Sequence, residues 1–404
     1  MSTSTLGGLR STCGEVAEAG ADDTVDGVPA RWVAWPGSTQ EVSAVLRAAT
    51  ELGLRVVARG TGTRLTWGLA PTALDLVVDT SRMGAVLAHA AGDLVVTAQA
   101  GLRMADLQDA LAPHRQRLAL DSGGTVGGTI ATAASGPLRY RYGSVRDLLI
   151  GITVVLADGT VTRSGGTVVK NVAGYDLGKL YTGSLGTLGV ITEAVFRLHP
   201  LPEASRWITA AAVDAERAAA AIAAVRASQL EPVALDVDRA APGAPVTVGV
   251  AVEGVRDGIG ARADAVANLL SAAAGVSATV AEQPPDWWGR PPHPPGGPAA
   301  AVTCEPTGLA DLLATAPGAL RGSAGAGVLT AGLDDGDRLG AELARLRAVA
   351  TRHGGTAVLR CAPPHRKAGL DVWGPVPALA LMRRLKDRFD PEHRLAPGRF
   401  VGGI

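Results

Sequence analysis

RVVARGTGTRLTWG, residues 55–68, joins a short apolar run to a loop in which two glycines flank a threonine. The apolar run predicts a buried strand, and Gly60 and Gly62 give the backbone the freedom that a tight turn at its end requires. Two common phosphate-binding loops do not fit. Leu65 replaces the third glycine of a Gly-x-Gly-x-x-Gly turn, and we expect the flanking strands not to form a parallel βαβ unit. No Gly-Lys-Ser/Thr follows, as a Walker A loop would require.

Two explanations of this loop remain. In the first, the glycines do no more than form a tight turn that needs positive φ. Alternatively, the successive N–H groups from Gly60 through Thr63 form an anion-binding concavity that suits a diphosphate. Thr61 and Thr63 then add hydroxyl donors, and Arg59 or Arg64 adds positive charge.

The segment before the loop, residues 32–60, predicts a strand, a helix and a second strand. Ser38 and Glu41 have the spacing of a capping box, and Gly53 is a typical residue just beyond a helix end. Between them the apolar residues recur at i, i+3, i+4 and i+7, as on the buried face of a helix. The second strand therefore ends at the glycine loop.

Two further glycine-rich stretches lie in residues 121–200. The run GGTVGGTIATAASG (residues 123–136) has so little side-chain bulk that a flat ligand can lie against its backbone, and GSLGTLGVIT (residues 183–192) ends a glycine turn in a β-branched strand. Asp158-Gly159 is a strong hairpin signal between two further β-branched runs. This region predicts glycine turns between strands of an antiparallel or mixed sheet.

Composition bounds the class of protein. The 404 residues indicate at least two domains. The 38 Lys and Arg balance 38 Asp and Glu, so no basic field exists to recruit nucleic acid or an anionic membrane. The three cysteines, Cys13, Cys304 and Cys361, are too far apart for a Cys-x-x-Cys metal or iron–sulfur site and fit a reducing cytoplasm. No apolar run is long enough to span a bilayer, so we expect membrane association only through partners.

After Pro200 alanine-rich helical segments alternate with short strands, which predicts a second α+β domain. Within it, PPDWWGRPPHPPGGP (residues 284–298) cannot form regular structure, because proline disfavours helix interiors and removes sheet donors. This loop is either an irregular surface crossing, or a partner contact or gate built around Trp287 and Trp288.

Four motifs, taken in order, resemble the FAD-binding domain of the vanillyl-alcohol-oxidase family, also called the PCMH-type domain. They are RGTGT, GGTIATAASG, YGSVRDLLIGITVVLADGTV and GSLGTLGVIT, all within residues 30–200. Within that family, GSVRDLLIG (143–151), KNVAGYDLGKL (170–180) and FDPEHRLAPGRF (389–400) resemble the FAD-binding E subunits of bacterial glycolate oxidases.

The resemblance implies an α+β fold. Residues 1–200 would form a PCMH-type FAD-binding domain of two α+β subdomains, and residues 201–365 an α+β cap domain on the substrate side. Residues 366–404 would then return to the FAD-binding domain.

The resemblance also implies the cofactor contacts. The FAD pyrophosphate would be wrapped by Arg59, Gly60, Thr61, Gly62 and Thr63. The flavin and ribityl side would be lined by Thr125, Gly127, Gly128, Ser135, Gly136, Tyr142 and Gly143. The adenosine end would meet the backbone of Gly189 and Ile191. Two residues keep an alternative: Tyr142 as a core or rim aromatic, and Arg59 as a solvated strand end.

Departures from the family pattern limit the chemistry. Relatives with a covalent flavin carry a histidine in the first glycine loop, where Thr61 and Thr63 stand here, so the FAD is expected to be non-covalent. Hydroxy-acid dehydrogenases carry a C-terminal histidine cluster that none of the seven histidines resembles, and Ala396 stands where many relatives have asparagine. No metal site is therefore expected and no catalytic residue is assigned. Near the end of the second domain, Arg360, His365, Arg366 and Lys367 form either a basic surface loop or a site.

The function implied by the resemblance is that of an FAD-binding subunit in a glycolate oxidase or dehydrogenase complex. Such a complex oxidises a 2-hydroxy acid to a 2-oxo acid, and its partners would be a second flavoprotein subunit and an iron–sulfur subunit. Two alternatives stay open. One is a self-sufficient FAD-dependent oxidoreductase acting on another small substrate, and the other is a non-catalytic assembly subunit that keeps the FAD fold as a scaffold.

Overall fold

The computed structural model describes residues 7–168, 174–212 and 214–404. The chain divides into two compact units: the first is Met1–Ala134, Ser144–Leu201 and Pro375–Ile404, and the second is Ser135–Gly143 and Pro202–Gly374. The sequence placed the domain limits at residues 200 and 365, whereas this division falls after residues 201 and 374 and gives Ser135–Gly143 to the second unit. Residues 170–173 of the KNVAGYDLGKL motif lie outside the described residues.

The first thirteen strands belong to the first unit. They are β1 Val16–Glu18, β2 Thr24–Val25, β3 Val28–Pro29, β4 Trp32–Ala34, β5 Val56–Arg59, β6 Leu76–Asp79, β7 Val86–Ala90, β8 Val95–Gln99, β9 Gln116–Arg117, β10 Leu149–Val155, β11 Val161–Gly165, β12 Val190–Arg197 and β13 His199–Pro200. The helices over the same part of the chain are α1 Thr39–Glu51, α2 Met104–Leu111, α3 Val126–Thr132, α4 Arg139–Tyr142, α5 Val145–Leu148 and α6 Gly178–Tyr181, of which α4 lies in the second unit. Short 3₁₀ turns cover Ala91–Asp93 and Ala112–His114.

A four-stranded sheet carries the first glycine loop. Its strand order is β1-β4-β6-β5, and β6 pairs in parallel with both β4 and β5. The unit β4–α1–β5 is therefore a parallel βαβ crossover, and our expectation that the flanking strands lack this arrangement is wrong. Helix α1 begins as predicted, with the Ser38 hydroxyl accepting from the Glu41 N–H at 3.1 Å, and Gly53 follows its end at φ 64°.

A five-stranded antiparallel sheet forms the rest of the core of the first unit. Its order is β11-β10-β12-β8-β7, and β10 and β11 form the predicted hairpin, in which Gly159 adopts φ 83°. Buried apolar side chains such as Leu107, Ile130 and Phe196 fill the space between this sheet and helices α2 and α3. The core thus anchors α3, which forms the middle of the second glycine-rich stretch.

The β-branched, glycine-rich run at residues 126–132 is a helix, which our prediction of turns between strands missed. The Thr125 hydroxyl caps its first turn by accepting from the Gly128 N–H at 3.2 Å. A Cβ on Gly127 would lie only 2.8 Å from the Ala100 Cβ, so the missing side chain lets the helix approach its neighbour closely. Capping and packing therefore outweigh the local strand propensity of valine, isoleucine and threonine.

The second unit is built on one antiparallel sheet of eight strands. These are β14 Ala204–Ala212, β15 Ala234–Arg239, β16 Val246–Gly254, β17 Thr279–Ala281, β18 Ala299–Thr303, β19 Ala319–Ser323, β20 Val328–Gly332 and β21 Ala357–Cys361, in the order β17-β14-β16-β15-β19-β20-β18-β21. Its further helices are α7 Ala215–Ala227, α8 Arg256–Ala274, α9 Leu309–Thr315, α10 Leu339–Arg352 and α11 Pro364–Lys367, with a 3₁₀ turn at Pro306–Gly308. The chain then returns to the first unit with α12 Leu379–Phe389 and a 3₁₀ turn at Val401–Gly403.

The proline-rich loop at residues 284–298 contains no helix or strand, as predicted. Its two tryptophans cover the sheet at Gly249, where a Cβ would lie 2.7 Å from the Trp288 ring and 2.8 Å from the Trp287 ring. The Arg321 guanidinium lies 6.0 Å from the Trp287 ring centroid and donates to the Asp238 carboxylate at 2.7 Å. The loop is therefore seated on the sheet of the second unit.

Candidate functional site

Three glycine loops of the first unit meet at an open pocket. The first follows β5, the second caps and begins α3, and the third precedes β12. The pocket is lined by Gly60, Thr61, Gly62, Thr63, Arg64, Leu65, Thr125, Gly128, Ala131, Thr132, Leu185, Gly186 and Arg399. Three motifs that are distant in sequence thus contribute to one site.

The first and second loops touch through Gly60. A Cβ built on this residue would lie 2.3 Å from the Thr125 Oγ1, far inside van der Waals contact. Thr125 is also the N-cap of α3, so the contact ties the first loop to the start of that helix. Any larger residue at position 60 would displace the cap.

The third loop is bonded to the other end of α3. The Gly183 N–H donates to the Ile130 carbonyl at 2.9 Å, and the Leu185 N–H donates to the Ala131 carbonyl at 2.8 Å. Leu185 and Gly186 both have positive φ, at 54° and 77°, which turns the chain sharply over the pocket. Helix α3 therefore holds the first loop at its beginning and the third loop at its end.

The first loop presents a row of hydrogen-bond donors. The N–H groups of Gly60, Thr61, Gly62 and Thr63 donate to no acceptor within the described part of the chain. A Cβ on Gly124 would lie 3.0 Å from the Arg64 Nη1, 3.2 Å from the Thr63 hydroxyl and 3.6 Å from the Thr61 hydroxyl, so these three groups converge on one bare backbone position. Consecutive N–H groups with converging hydroxyls form an anion-binding concavity.

Two arginines give the pocket positive charge. Arg399 is 3% exposed and donates to the carbonyls of Leu65 at 2.5 Å and Trp67 at 2.8 Å. Burial, opposed by the charge of Asp26, lowers the pKa of Arg399 to about 10. Burial also lowers the pKa of Arg64, whose guanidinium donates to the Gly123 carbonyl and the Ser122 hydroxyl, both at 3.0 Å. No Asp or Glu lines the pocket among the described residues, so an anion entering it meets two cations and no carboxylate.

Two carboxylates hold the side chain of Arg59. Its Nη1 donates to the Asp23 carboxylate at 2.7 Å and its Nε to the Asp79 carboxylate at 2.8 Å. Burial opposes the charge of Arg59, but the two carboxylates outweigh it and raise its pKa. The guanidinium is therefore paired with two carboxylates, and 16% of its side-chain surface stays exposed. The cofactor contact of Arg59 and its alternative as a solvated strand end both stay predictions.

Other predicted contact residues of the first unit are engaged in packing. The Gly127 N–H donates to the Ala100 carbonyl at 2.7 Å. A Cβ on Gly189 would lie 2.4 Å from the Val154 side chain, so this glycine permits close strand packing. Ile191 is 7% exposed and pairs with Val154 across β10 and β12. Their contacts with a ligand stay predictions.

Four predicted residues, Ser135, Gly136, Tyr142 and Gly143, belong to the second unit. The Tyr142 hydroxyl donates to the Glu253 carboxylate at 3.0 Å, and its ring packs with Trp207 and Trp288 against the sheet. Gly143 ends α4 with φ 82°. Their role in flavin binding stays a prediction.

The basic residues near the end of the second unit are partly neutralised. Arg366 forms ion pairs with Asp337 at 3.2 Å and Asp335 at 3.7 Å, whereas His365 is exposed and Lys367 is buried. Across the described residues, no three or more His, Cys, Asp or Glu side chains lie close enough together to hold a metal ion. Within the same ranges, no helix is both long enough and apolar enough to cross a membrane.

Sequence reasoning left Arg64 as an alternative to Arg59 and missed six pocket residues, which are Leu65, Ala131, Thr132, Leu185, Gly186 and Arg399. Gly186 lies in the quoted GSLGTLG motif, and its glycine spacing was a usable signal. Arg399 lies in FDPEHRLAPGRF, where only a fold that returns the C-terminal segment to the first loop gives it meaning. No local pattern distinguishes it from a surface arginine.

Comparison with known proteins identifies the domain that carries the first two glycine loops of this pocket. Residues 30–165 match the family model of an FAD binding domain, which confirms the predicted PCMH-type FAD-binding domain and its cofactor. Glycolate oxidase subunit GlcD of Bacillus subtilis is 35% identical over 208 residues, covering 50% of this chain and 44% of the relative. The mitochondrial cytochrome-linked D-lactate dehydrogenase 1 of Saccharomyces cerevisiae is 38% identical over 179 residues, covering 43% and 30%.

The matched region thus spans less than half the length of these curated relatives. The relatives confirm the resemblance to glycolate oxidase flavoproteins. The glycolate oxidase relative is the D subunit, so the assignment to the E subunit stays a prediction. A solved structure of alkyldihydroxyacetonephosphate synthase superposes with a TM-score of 0.68 at 18% identity, covering 92% of this chain and 76% of that one. This similarity confirms the fold class.

Proposed function

We propose that this chain is the FAD-binding subunit of a glycolate oxidase or dehydrogenase complex that oxidises a 2-hydroxy acid to a 2-oxo acid. The observation that carries the proposal is the pocket of the first unit. Its four unused N–H groups, two hydroxyls and two arginines without a lining carboxylate suit a diphosphate. The names of the relatives, a glycolate oxidase subunit and a D-lactate dehydrogenase, support the substrate class.

The residues of the pocket would hold the diphosphate of FAD. The N–H groups of Gly60–Thr63 would donate to its oxygens, and Arg64 and Arg399 would neutralise its charge. Bound FAD would supply the acceptor for the hydride of the substrate. Because Arg399 is already fixed by the carbonyls of Leu65 and Trp67, its charge is in place before any ligand arrives.

Attachment of the FAD would be non-covalent. Thr61 and Thr63 occupy the first loop, and a threonine hydroxyl is a poor nucleophile towards the flavin ring compared with histidine. Acid precipitation should therefore release the flavin into the supernatant. A yellow pellet would contradict this.

The electrons would leave through partner subunits. The three cysteines of the chain are unpaired thiols, and Cys304 and Cys361 are buried, so they do not form an iron–sulfur ligand set with the sequence spacing that such clusters use. We therefore propose an iron–sulfur subunit and a second flavoprotein subunit as partners. The complex would be cytoplasmic, with membrane association only through those partners.

Two alternatives make different predictions. A self-sufficient FAD-dependent oxidoreductase of another small substrate would need its own proton acceptor and carboxylate-binding cations. The exposed His365, beside Arg366, is the candidate that this alternative would use. A non-catalytic assembly subunit would bind FAD, or keep the empty fold, without its reduction by any substrate.

Anaerobic mixing with glycolate separates these functions. The FAD-saturated chain alone should show little bleaching of the flavin absorption, and adding the partner subunits should give rapid bleaching. Rapid, complete bleaching of the isolated chain would favour the self-sufficient enzyme. A flavin in this chain that stays oxidised in the assembled, glycolate-oxidising complex would favour the scaffold.

A further inference from the structure

A fully buried ion pair lies behind the pocket of the first unit. The Lys386 ammonium and the Asp390 carboxylate have no exposed side-chain surface and approach to 2.7 Å across one turn at the end of α12. The Lys386 Nζ also donates to the carbonyls of Thr187 and Leu395, both at 2.8 Å. All three protons of the ammonium are therefore used.

One of these bonds reaches the third glycine loop. Thr187 follows Leu185 and Gly186, which line the pocket. The Thr187 N–H and hydroxyl both bond the Ser184 carbonyl, at 3.1 Å and 2.7 Å, so the carbonyl that Lys386 holds belongs to a closed turn. Fixing the Thr187 carbonyl fixes the position of this turn.

The other bonds reach the strand that leads to the first loop. The Asp390 carboxylate accepts from the Leu395 N–H at 2.7 Å. The neighbours of Leu395 then pair with Val56 of β5: its N–H donates to the Arg394 carbonyl, and its carbonyl accepts from the Ala396 N–H, both at 2.8 Å. Strand β5 ends where the first glycine loop begins. The Lys386–Asp390 ion pair is thus hydrogen-bonded both to the third glycine loop and to the segment that pairs with β5, the strand leading to the first glycine loop.

A buried ion pair is weak evidence for stability, because the desolvation of both charges offsets their attraction. Burial lowers the pKa of Lys386, against the opposing charge of Asp390. Removing both charges together is often neutral for folding, whereas removing one leaves the other uncompensated. What the pair does supply is geometry, since no apolar replacement can donate to two carbonyls.

We propose that Lys386 and Asp390 are positioning residues for the dinucleotide, which hold the first and third glycine loops at the separation that the cofactor needs. This inference rests on the proposed binding of FAD. It means that removing the pair lowers the dinucleotide affinity of the folded protein, beyond any effect on the free energy of unfolding.

The test is the double variant Lys386→Met/Asp390→Asn, which removes both charges while approximately conserving volume. We expect its thermal midpoint to fall, because the carbonyls of Thr187 and Leu395 lose their donor. The FAD dissociation constant of the folded variant, measured by quenching of flavin fluorescence at low temperature, should rise about tenfold. In the protein without FAD, amide hydrogen exchange of residues 183–188 should accelerate. A merely structural pair would lower the thermal midpoint and leave the FAD dissociation constant of the folded protein unchanged.

The matched control is Arg239→Lys in the second unit. Arg239 is another buried cation that donates to three backbone carbonyls, and it does not line the pocket. This variant should lower the thermal midpoint without changing the FAD dissociation constant.

Two results would overturn the proposal. One is a stable double variant that binds FAD as the wild type does. The other is a double variant that, like the control, loses stability while its folded form keeps the wild-type FAD dissociation constant. Failure of the wild type itself to bind FAD would instead remove the proposed function, and this inference with it.

Discussion

Arg239 of the second unit and Arg399 of the first unit are both buried cations whose charge is satisfied by backbone carbonyls. Each guanidinium is buried, and each donates to a series of backbone carbonyls. Burial lowers the pKa of each to about 10. Arg239 closes the end of α9, where it bonds the carbonyls of Leu313, Ala316 and Gly318.

The carbonyls that Arg399 bonds lie instead in the chain that follows the first glycine loop, and the arginine lines the pocket. A buried arginine is therefore not by itself a sign of a binding site. The difference lies in what remains open beside it: at Arg239 the charge serves a helix end, whereas at Arg399 part of the charge faces an opening lined by unused N–H groups.

The largest effect should come from Arg239→Met, and it should be on stability alone. Three carbonyls around α9 lose their donor, and unfolding should become easier by about 3–5 kcal/mol because each buried unsatisfied carbonyl is costly. Urea denaturation measures this loss. FAD affinity of the folded protein, measured at low temperature, should not change, and a clear loss of affinity would break the comparison.

Arg399→Met should also destabilise the fold, because the carbonyls of Leu65 and Trp67 lose their donor, but unlike Arg239→Met it should weaken cofactor binding as well. A charge-assisted contact with the diphosphate is lost, so the FAD dissociation constant should rise roughly 30- to 100-fold, equivalent to about 2–3 kcal/mol. Equilibrium dialysis with ADP as the ligand should show a similar loss, because ADP carries the diphosphate without the flavin. Equal ADP affinity in wild type and variant would show that Arg399 has only the structural role of Arg239.

Gly60→Ala tests whether backbone shape contributes beside charge. The new Cβ would meet the Thr125 side chain at 2.3 Å, so the cap of α3 must move. We expect the FAD dissociation constant to rise about tenfold, with a stability loss near 1 kcal/mol from the weakened cap. Gly92→Ala is the matched control, since nothing lies within 4 Å of its added Cβ. If both variants bind FAD equally well, charge alone defines the pocket.

The smallest effect concerns Arg59, which is held by carboxylates and not by carbonyls. Partial burial would raise the pKa of Asp23, but hydrogen bonds from Arg59 and the Gly20 N–H outweigh it and lower this pKa. The ionised Asp23 carboxylate therefore stabilises the folded protein above about pH 4, and this stabilisation is lost as the pH falls through the lowered pKa of Asp23. Asp23→Asn should lower the free energy of unfolding by less than about 1 kcal/mol at pH 6. That difference should shrink towards pH 3 in denaturant titrations, and a difference independent of pH would contradict the ion-pair explanation.

The sequence predicted the elements that depend on local signals. Helix α1 carries its cap and its periodic apolar face, and the Asp158-Gly159 hairpin has a turn that needs positive φ. The sequence also indicated the first glycine loop as an anion site, because glycine spacing after a strand is a local property. The ordered set of motifs then identified the domain as a whole.

The errors concern interactions between distant segments. Residues 126–132 look like a strand, and only Thr125 and the close approach to Ala100 make them a helix. The parallel β4–α1–β5 unit depends on β6 lying between its strands, which no pattern within that segment records. The partners of Arg59, Asp23 and Asp79, lie 36 and 20 residues away, so its neutralisation could not be predicted from the loop.

The return of the C-terminal segment to the first unit also determines when the pocket can be completed during synthesis of the chain. Arg399 bonds Leu65 across 334 residues of sequence, and Lys386 bonds Thr187 across 199. A ribosome synthesises all three glycine loops and the whole second unit before it reaches either residue. The nascent chain therefore carries an unfinished pocket until residues 386 and 399 have been synthesised.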